Sequence, residues 1–387
     1  MSLIVKKASN LIIYLISVFF IRLIHLNKRS PVSGTLLIVK MDAIGDYVLF
    51  RNFLQEIRES RRFRYHRITL CGNVLWKELA ETLDSSAVNE FIWIDKKRFY
   101  SDLSYKFSQL KNIYLRGFET AVSPTYSREI LFDDIIIKAA AAGESAGSES
   151  ALEKHAKWKR ELFTNSVYTK KIKADTRNIF EFLRNMEFIE NYLGEKKLNT
   201  WLSIDTGKIR RNNFPPEKYV VLFPGAGEPK RQWGIPNFIR TAQYILDTTS
   251  FNITIAGSKG EYALAQEITS ALSSSRVYNL AGVTNLPEFA ALLADAELLV
   301  SNETSAVHFA AAVGTTVICI SNGGFLGRFH PYPYGIFAGA YYIYPAEIRN
   351  NKYLFTADTN PYRYGSDLSV NEIQAEEVIS RIRSILQ

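Results

Sequence analysis

The chain has 387 residues, of which 47% are apolar and 22% charged, and its formal net charge is +8. This length suits two domains of ordinary size, and the composition excludes a globally disordered chain. The positive charge admits anionic partners, but no run of lysine and arginine interleaved with aromatic residues indicates a nucleic-acid surface, so no nucleic-acid partner is expected.

The first 32 residues form an N-terminal segment of unusual composition. The run from Leu11 to Ile21 is apolar except for Ser17. Basic residues flank it at Lys6, Lys7, Arg22, Lys28 and Arg29. A spanning helix needs about 20 apolar residues, and Lys6, Asn10 and Ser17 share one helical stripe, so the pattern favours a helix lying in a membrane interface. A true span, a signal peptide, and a helix packed on the first domain remain alternatives.

Residues 33–205 alternate between short apolar runs and amphipathic stretches. The strand candidates are Leu36–Val39, Ile68–Cys71, Phe91–Ile94 and Ala121–Ser123. Tyr47–Ser60 is predicted to be one helix, and the small residues of Gly143–Ser150 are predicted to form a loop. Continuous apolar runs are typical of strands buried on both faces, which predicts a parallel sheet covered by helices.

Residues 206–365 repeat this architecture, and residues 366–387 end the chain as a helix. The second set of strand candidates is Tyr219–Phe223, Asn252–Ala256, Val277–Leu280, Glu297–Ser301 and Thr316–Ile320. Cys71 and Cys319 each lie in such a run and show neither disulfide nor zinc spacing, which fits small core residues. The fold class is therefore α/β, with two Rossmann-like, doubly wound domains whose strand ends are expected to face a shared cleft.

The first site candidate directly follows the first strand. Gly45 permits a tight turn at the start of a helix, and Asp42 and Asp46 lie four residues apart at the carboxyl end of the sheet. An acid there suits a general base facing the cleft. The alternative is that these acids only cap the helix.

A second candidate follows the strand Tyr219–Phe223. A turn containing Gly225 and Ala226 leads to the adjacent cations Lys230 and Arg231. Backbone N–H groups and cations suit phosphate oxygens. Solvated cations on a surface turn are the alternative, since the segment matches neither a P-loop nor a dinucleotide fingerprint.

The third candidate lies where a strand ends at Ser301 and an alanine-rich helix begins. Glu303, Thr304 and Ser305 fill the turn, and His308 lies one turn into the helix. The helix N-terminus suits a diphosphate. The alternatives are that Glu303 is a cap and that His308 is a satisfied core histidine.

In order along the chain, these segments resemble glycosyltransferase family 9, the family of the lipopolysaccharide heptosyltransferases. The matching motifs are Ile44-Gly45-Asp46, Pro224-Gly225-Ala226, Lys230-Arg231-Gln232-Trp233, Gly282-Val283-Thr284-Asn285-Leu286, and Asn302-Glu303-Thr304-Ser305 with His308, Ala310 and Ala311. Glu303 and Ser305 replace the usual Asp and Gly, and Gln232 interrupts Lys-Arg-Trp.

The resemblance implies a GT-B fold, with the acceptor on the first domain and the donor on the second. It assigns Asp46 as catalytic base and Lys230 or Arg231 as the diphosphate cation. It places Glu303, Thr304, Ser305 and His308 at the nucleotide-sugar site with Gly225 and Ala226, and Glu261 at the ribose. It implies no metal and no cofactor beyond the sugar-nucleotide substrate.

The expected activity is inverting transfer of heptose or a related sugar from a nucleoside-diphosphate sugar to a lipid-linked saccharide. The enzyme would work in the cytoplasm, attached peripherally to the inner face of the cytoplasmic membrane. Two alternatives remain: a nucleotide-sugar epimerase of the same two-domain fold, and a non-catalytic protein that binds a nucleotide sugar.

Overall fold

The chain folds into two compact units, each built on a parallel sheet. A computed structural model describes residues 3–149, 163, 165–195, 198, 200–211, 214–215, 217–351 and 360–386. Unit 1 comprises Met1–Thr176 and Phe182–Thr200, and unit 2 comprises Arg177–Glu181 and Trp201–Gln387.

Each unit contributes one six-stranded, all-parallel sheet. The strands are β1 (Val32–Lys40), β2 (Arg67–Asn73), β3 (Glu90–Ile94), β4 (Phe118–Ser123), β5 (Glu144–Ser148), β6 (Lys170–Ile172), β7 (Tyr219–Phe223), β8 (Asn252–Ile255), β9 (Val277–Asn279), β10 (Leu298–Asn302), β11 (Val317–Ile320) and β12 (Ala340–Ile343). The order is β3-β2-β1-β4-β5-β6 in unit 1 and β12-β11-β10-β7-β8-β9 in unit 2.

Helices connect the strands and cover the sheets. They are α1 (Leu3–His25), α2 (Ile44–Val48), α3 (Phe53–Glu59), α4 (Lys77–Leu83), α5 (Lys96–Ser101), α6 (Leu103–Arg116), α7 (Ile135–Ala140), α8 (Glu181–Leu193), α9 (Ile235–Thr248), α10 (Tyr262–Leu272), α11 (Leu286–Ala294), α12 (Ser305–Val313), α13 (Ala346–Arg349) and α14 (Ala375–Leu386). The central strands are fully buried at Leu36–Val39 of β1, Val220–Leu222 of β7 and Leu298–Val300 of β10, as two-sided burial of a parallel strand requires.

Counted from its own first strand, each sheet has the Rossmann order 3-2-1-4-5-6. The predicted α/β class with two parallel, doubly wound sheets is confirmed. In this order the chain leaves the first and fourth strands toward opposite sides of the sheet, which opens a crevice at their carboxyl ends. In unit 1 this point follows β1 and β4, and in unit 2 it follows β7 and β10. All three site candidates therefore lie at such switch points.

Two predicted elements are wrong. Tyr47–Ser60 is interrupted: α2 ends at Val48 and α3 begins at Phe53. The break fits long-range contacts, because Asn185 Nδ2 donates to the Leu49 carbonyl oxygen at 3.1 Å and Arg51 binds Asp84. Within Gly143–Ser150, predicted as a loop, Glu144–Ser148 forms β5.

The long helix α1 packs on unit 1 through the side that carries its polar residues. Ser17 is fully buried, and Ile21 and Ile24 join the core that also contains residues of β1 and β4. Tyr100 donates its hydroxyl hydrogen to Asn10 Oδ1 at 2.8 Å. Asn10 and Ser17, which were expected to face water in a membrane interface, thus face protein. No helix among the described residues has the length and apolarity needed to cross a membrane.

Candidate functional site

Arg231 and Glu303 meet at the switch point of unit 2. Arg231 ends a 3₁₀ turn (Pro229–Arg231) after β7, and Glu303 directly follows β10. Arg231 Nη1 lies 3.5 Å from Glu303 Oε1. Its Nε–H is buried and has no hydrogen-bond partner within the described part of the chain. A guanidinium carries five N–H donors, so Arg231 keeps donors for an anionic ligand.

Lys230, the other predicted cation, points elsewhere. Its Nζ lies 3.0 Å from Asp367 Oδ1 and 3.8 Å from Glu228 Oε2, on the exposed surface. The structure therefore brings Arg231, and not Lys230, to the turn that contains Glu303.

Ser321 and His330 hold the Glu303 carboxylate in place through its second oxygen. Ser321 Oγ donates to Glu303 Oε2 at 2.9 Å, and His330 Nε2 lies 3.4 Å from the same oxygen. Burial by itself raises the pKa of Glu303. The opposite effect is larger, because Glu303 is attracted to His330 and Arg231 and accepts hydrogen bonds from His330 and Ser321. The pKa of Glu303 therefore lies below its ordinary value. Glu303 is thus a buried anion that anchors Arg231.

The helix α12 begins at Ser305 beside this pair. Thr304 is its N-cap, with its hydroxyl oxygen accepting from the Ala306 N–H at 3.2 Å, so Glu303 is not the cap. Thr304 and Ser305 are half-exposed. His308 is buried one turn further on, with Nδ1 2.8 Å from the Tyr332 hydroxyl. Burial lowers the pKa of His308 to about 4, so its imidazole is neutral at pH 7.

The turn after β7 lies against Glu261. A Cβ added to Gly225 would come within 1.6 Å of Glu261 Oε1, so only glycine permits this approach. Glu261 also accepts a hydrogen bond from the Ser258 N–H at 2.6 Å in a capping box. Ala226, beside Gly225, is half-buried. The structure thus brings Gly225 and Glu261 into contact at one end of the sheet.

Asn302 holds the two turns together, and sequence reasoning did not assign it a role. Its Nδ2 donates to the Pro224 carbonyl oxygen at 2.7 Å, and its Oδ1 accepts from the Trp233 N–H at 3.1 Å. Asn302 is fully buried. The signal available in the sequence was a lone amide at the end of an apolar strand, where water is excluded.

In unit 1, Asp46 is half-buried in the first turn of α2, at the carboxyl end of the central strand β1. Asp42 is not a helix cap: its Oδ2 lies 2.7 Å from the fully buried Lys40 Nζ and accepts from Thr125 Oγ1 at 2.8 Å. Asp46 lies in unit 1, whereas Arg231 and Glu303 lie in unit 2.

A further carboxyl near Asp42 was missed from the sequence. Asp133 is buried, and its Oδ2 accepts from the Glu129 N–H at 2.8 Å. Burial, with the charges of Asp42 and Glu129, raises the pKa of Asp133 to about 8. Only the fold brings it to Asp42, some 90 residues earlier in the chain. Among the described residues, no group of three or more His, Cys, Asp or Glu side chains is placed to hold a metal ion.

Comparison with known proteins shows a family match over part of the chain. Residues 154–332 match the model of glycosyltransferase family 9 (heptosyltransferase). Lipooligosaccharide heptosyltransferase 2 of Haemophilus influenzae is 31% identical over 109 residues, which are 27% of this chain and 31% of that protein. The same enzyme of Haemophilus ducreyi is 34% identical over 98 residues, 24% and 28% of the two chains. The match thus spans less than a third of each relative's length.

Solved structures share the fold over nearly the whole chain. A family 9 glycosyltransferase of Veillonella parvula has a TM-score of 0.70 at 16% identity, covering 93% of this chain and 99% of that one. ADP-heptose lipopolysaccharide heptosyltransferase II of E. coli has a TM-score of 0.67 at 15% identity, covering 91% and 98%. An E. coli heptosyltransferase with ADP-2-deoxy-2-fluoro heptose has a TM-score of 0.65 at 16% identity, covering 90% and 99%. The fold is thus GT-B-like, and the match of residues 154–332 to the glycosyltransferase family 9 model agrees with the resemblance seen in the sequence motifs.

Proposed function

We propose that this chain is an inverting glycosyltransferase that moves a heptose or a related sugar from a nucleoside-diphosphate sugar to a lipid-linked saccharide in lipopolysaccharide or surface-glycan assembly. Two considerations support the donor class. Both Haemophilus relatives are lipooligosaccharide heptosyltransferases, and one E. coli neighbour is solved with an ADP-heptose analogue.

The observation that carries the proposal is the anchored guanidinium of Arg231 at the switch point of unit 2. Glu303 holds it on one side, its buried Nε–H has no hydrogen-bond partner within the described part of the chain, and α12 begins two residues after Glu303. A helix N-terminus together with an arginine suits a diphosphate. The half-exposed Thr304 and Ser305 add polar groups at the same turn, and Glu261 beside Gly225 is the proposed ribose partner.

In the proposed reaction, Asp46 accepts the proton of the acceptor hydroxyl. The hydroxyl oxygen forms a bond to the anomeric carbon from the face opposite the diphosphate. The bond from that carbon to the diphosphate oxygen breaks, and its electron pair leaves with the nucleoside diphosphate. Arg231 and the N-terminus of α12 stabilise the growing negative charge, and such preorganised donors typically contribute about 3 to 4 kcal/mol each.

The acceptor side of the proposal rests on the family and on the N-terminus. A lipid-linked acceptor requires that the enzyme reach a membrane surface, and the basic, apolar segment before β1 suits peripheral attachment at the cytoplasmic face. The proposed transfer uses protein cations in place of a metal, with the nucleotide sugar as substrate and no further cofactor.

Two single variants test the donor site. Arg231→Ala should weaken binding of ADP about 10- to 150-fold, because a hydrogen bond to a charged group contributes roughly 1.5–3 kcal/mol. Lys230→Ala is the matched control and should bind ADP nearly as the wild type does, since Lys230 pairs with Asp367. Isothermal titration calorimetry measures both. Equal losses in the two variants, or a loss only in Lys230→Ala, would contradict the assignment of Arg231.

A further inference from the structure

The orientation of α1 on unit 1 is fixed by hydrogen bonds and not only by apolar packing. Lys106 Nζ, on α6, donates to Ser17 Oγ at 3.1 Å, and both side chains are fully buried. Beyond the helix end, Arg29 donates to the Ala140 carbonyl oxygen at 2.6 Å. Because buried polar groups are costly to leave without partners, these contacts determine which face of the helix is turned inward.

The outward face of α1 forms a continuous apolar surface that extends to Leu26, the residue after the helix. We call this surface the outer stripe. It consists of Leu11, Ile12, Leu15, Phe19, Leu23 and Leu26, whose exposed fractions lie between 41% and 76%. Spacings of three and four residues keep these side chains on one side of a helix over about 22 Å. A contiguous apolar surface of large side chains marks an interaction site with a protein or a membrane.

The charges around the outer stripe favour a lipid surface. Arg22 is exposed on the helix, and Lys28 is exposed just beyond it. The sequence adds Lys6 and Lys7 before the stripe and contains no acidic residue before Asp42. Two copies of this chain joined through their stripes would bring these cations together, whereas anionic headgroups complement them.

We infer that the outer stripe lies in the interface of an anionic bilayer, with α1 parallel to the surface and unit 1 held against the lipid. In this arrangement the apolar side chains enter the boundary between headgroups and acyl chains, while Arg22 and Lys28 meet the headgroups. A spanning arrangement would strip Ser17 and Asn10 from their partners Lys106 and Tyr100. The inference does not depend on sugar transfer, because the outer stripe contains no residue of any site motif.

Vesicle flotation of the full-length protein, without donor or acceptor, tests this surface. The wild type should float with phosphatidylcholine vesicles that contain phosphatidylglycerol, and should float less with phosphatidylcholine alone or at high salt. The double variant Leu15→Glu/Phe19→Glu should reduce the bound fraction about tenfold or more, because two carboxylates replace the centre of the stripe. Tyr65→Glu is the control: Tyr65 is 84% exposed in unit 1 outside α1, and its variant should float as the wild type does.

Circular dichroism and thermal melting check that the double variant folds, as expected for exposed positions. Unchanged flotation of the folded double variant would overturn the inference. A wild-type dimer in solution that the double variant converts to a monomer, without any effect on flotation, would assign the stripe to a second copy instead. Resistance of the wild type to extraction by both high salt and alkaline carbonate would show a spanning helix and would also overturn it. Failure of sugar transfer with normal flotation would contradict only the proposed function.

Discussion

His308 lies one turn into α12, with its ring near those of Tyr332 and Phe329. Burial lowers its pKa to about 4, against an ordinary value of 6.5, so the unfolded chain binds more protons than the folded chain between these values. The contribution of His308 to stability is therefore complete above pH 6.5 and is lost as the pH falls toward 4. Any contact of His308 with the donor is made by a neutral imidazole.

Histidine-selective NMR between pH 5 and 8 measures this directly, with the signal of His308 assigned by its loss in His308→Gln. We expect the His308 ring signals to stay constant across this range. A His308 midpoint above pH 6 would contradict the burial argument.

The adjacent cations show what the sequence could predict at this scale. The motif predicts that either Lys230 or Arg231 binds the phosphate. The sequence alone does not distinguish these two neighbouring cations. Asp367 draws Lys230 away and Glu303 holds Arg231, and both acids are remote in the chain. His330, which supports Glu303, was also missed, because nothing in its local sequence indicates a carboxylate partner.

At the scale of elements, the buried strands were predictable and two departures were not. Apart from Glu144, β5 consists of small residues, and the Tyr168 ring packs so close to it that a Cβ at Gly147 would lie 2.5 Å from a ring carbon. The break between α2 and α3 depends on Asn185, which follows more than a hundred residues later. Asn10 and Ser17 of α1 predicted a helix face turned to water. In the structure they bind Tyr100 and Lys106, so this face is turned toward unit 1.

The contact between α1 and α6 makes a prediction about pH. Burial lowers the pKa of Lys106 to about 8 from an ordinary 10.5, so the unfolded chain holds more protons in this window. Stability should therefore gain a contribution as the pH rises from 8 to 10.5, and the cost of the buried charge is fully present below pH 8. Lys106→Met removes this contribution.

Urea unfolding at several pH values, compared between variants, isolates the effect of Lys106. The difference in unfolding free energy between Lys106→Met and the wild type should shrink as the pH rises through this window. Lys111→Met, at an exposed position of the same helix, should leave the pH dependence unchanged. Parallel pH profiles for Lys106→Met and the wild type would show that Lys106 does not titrate in the folded protein as stated.

On the scale of the whole molecule, two sheets of the same strand order place every predicted site residue in the turn or the first helical turns that follow a strand. The order follows from repeated strand–helix units and the right-handed crossover, which is why the architecture was predictable from the sequence. The roles of Asp46 and of the donor residues are defined by their contacts with bound substrates. A sequence motif indicates such contacts only by its resemblance to a family whose substrates are known.

The most direct test of the account is a transfer assay with purified full-length protein, ADP-heptose and detergent-dispersed, heptose-deficient lipopolysaccharide. Mass spectrometry should detect addition of one heptosyl unit to the acceptor, with release of an equal amount of ADP and inverted anomeric configuration by NMR. Asp46→Asn keeps the size of the side chain but cannot accept the proton, so turnover should fall about 100-fold or more while ADP binding stays similar. Conversion of the donor to an isomeric nucleotide sugar without transfer, or near-normal turnover in Asp46→Asn, would contradict the account.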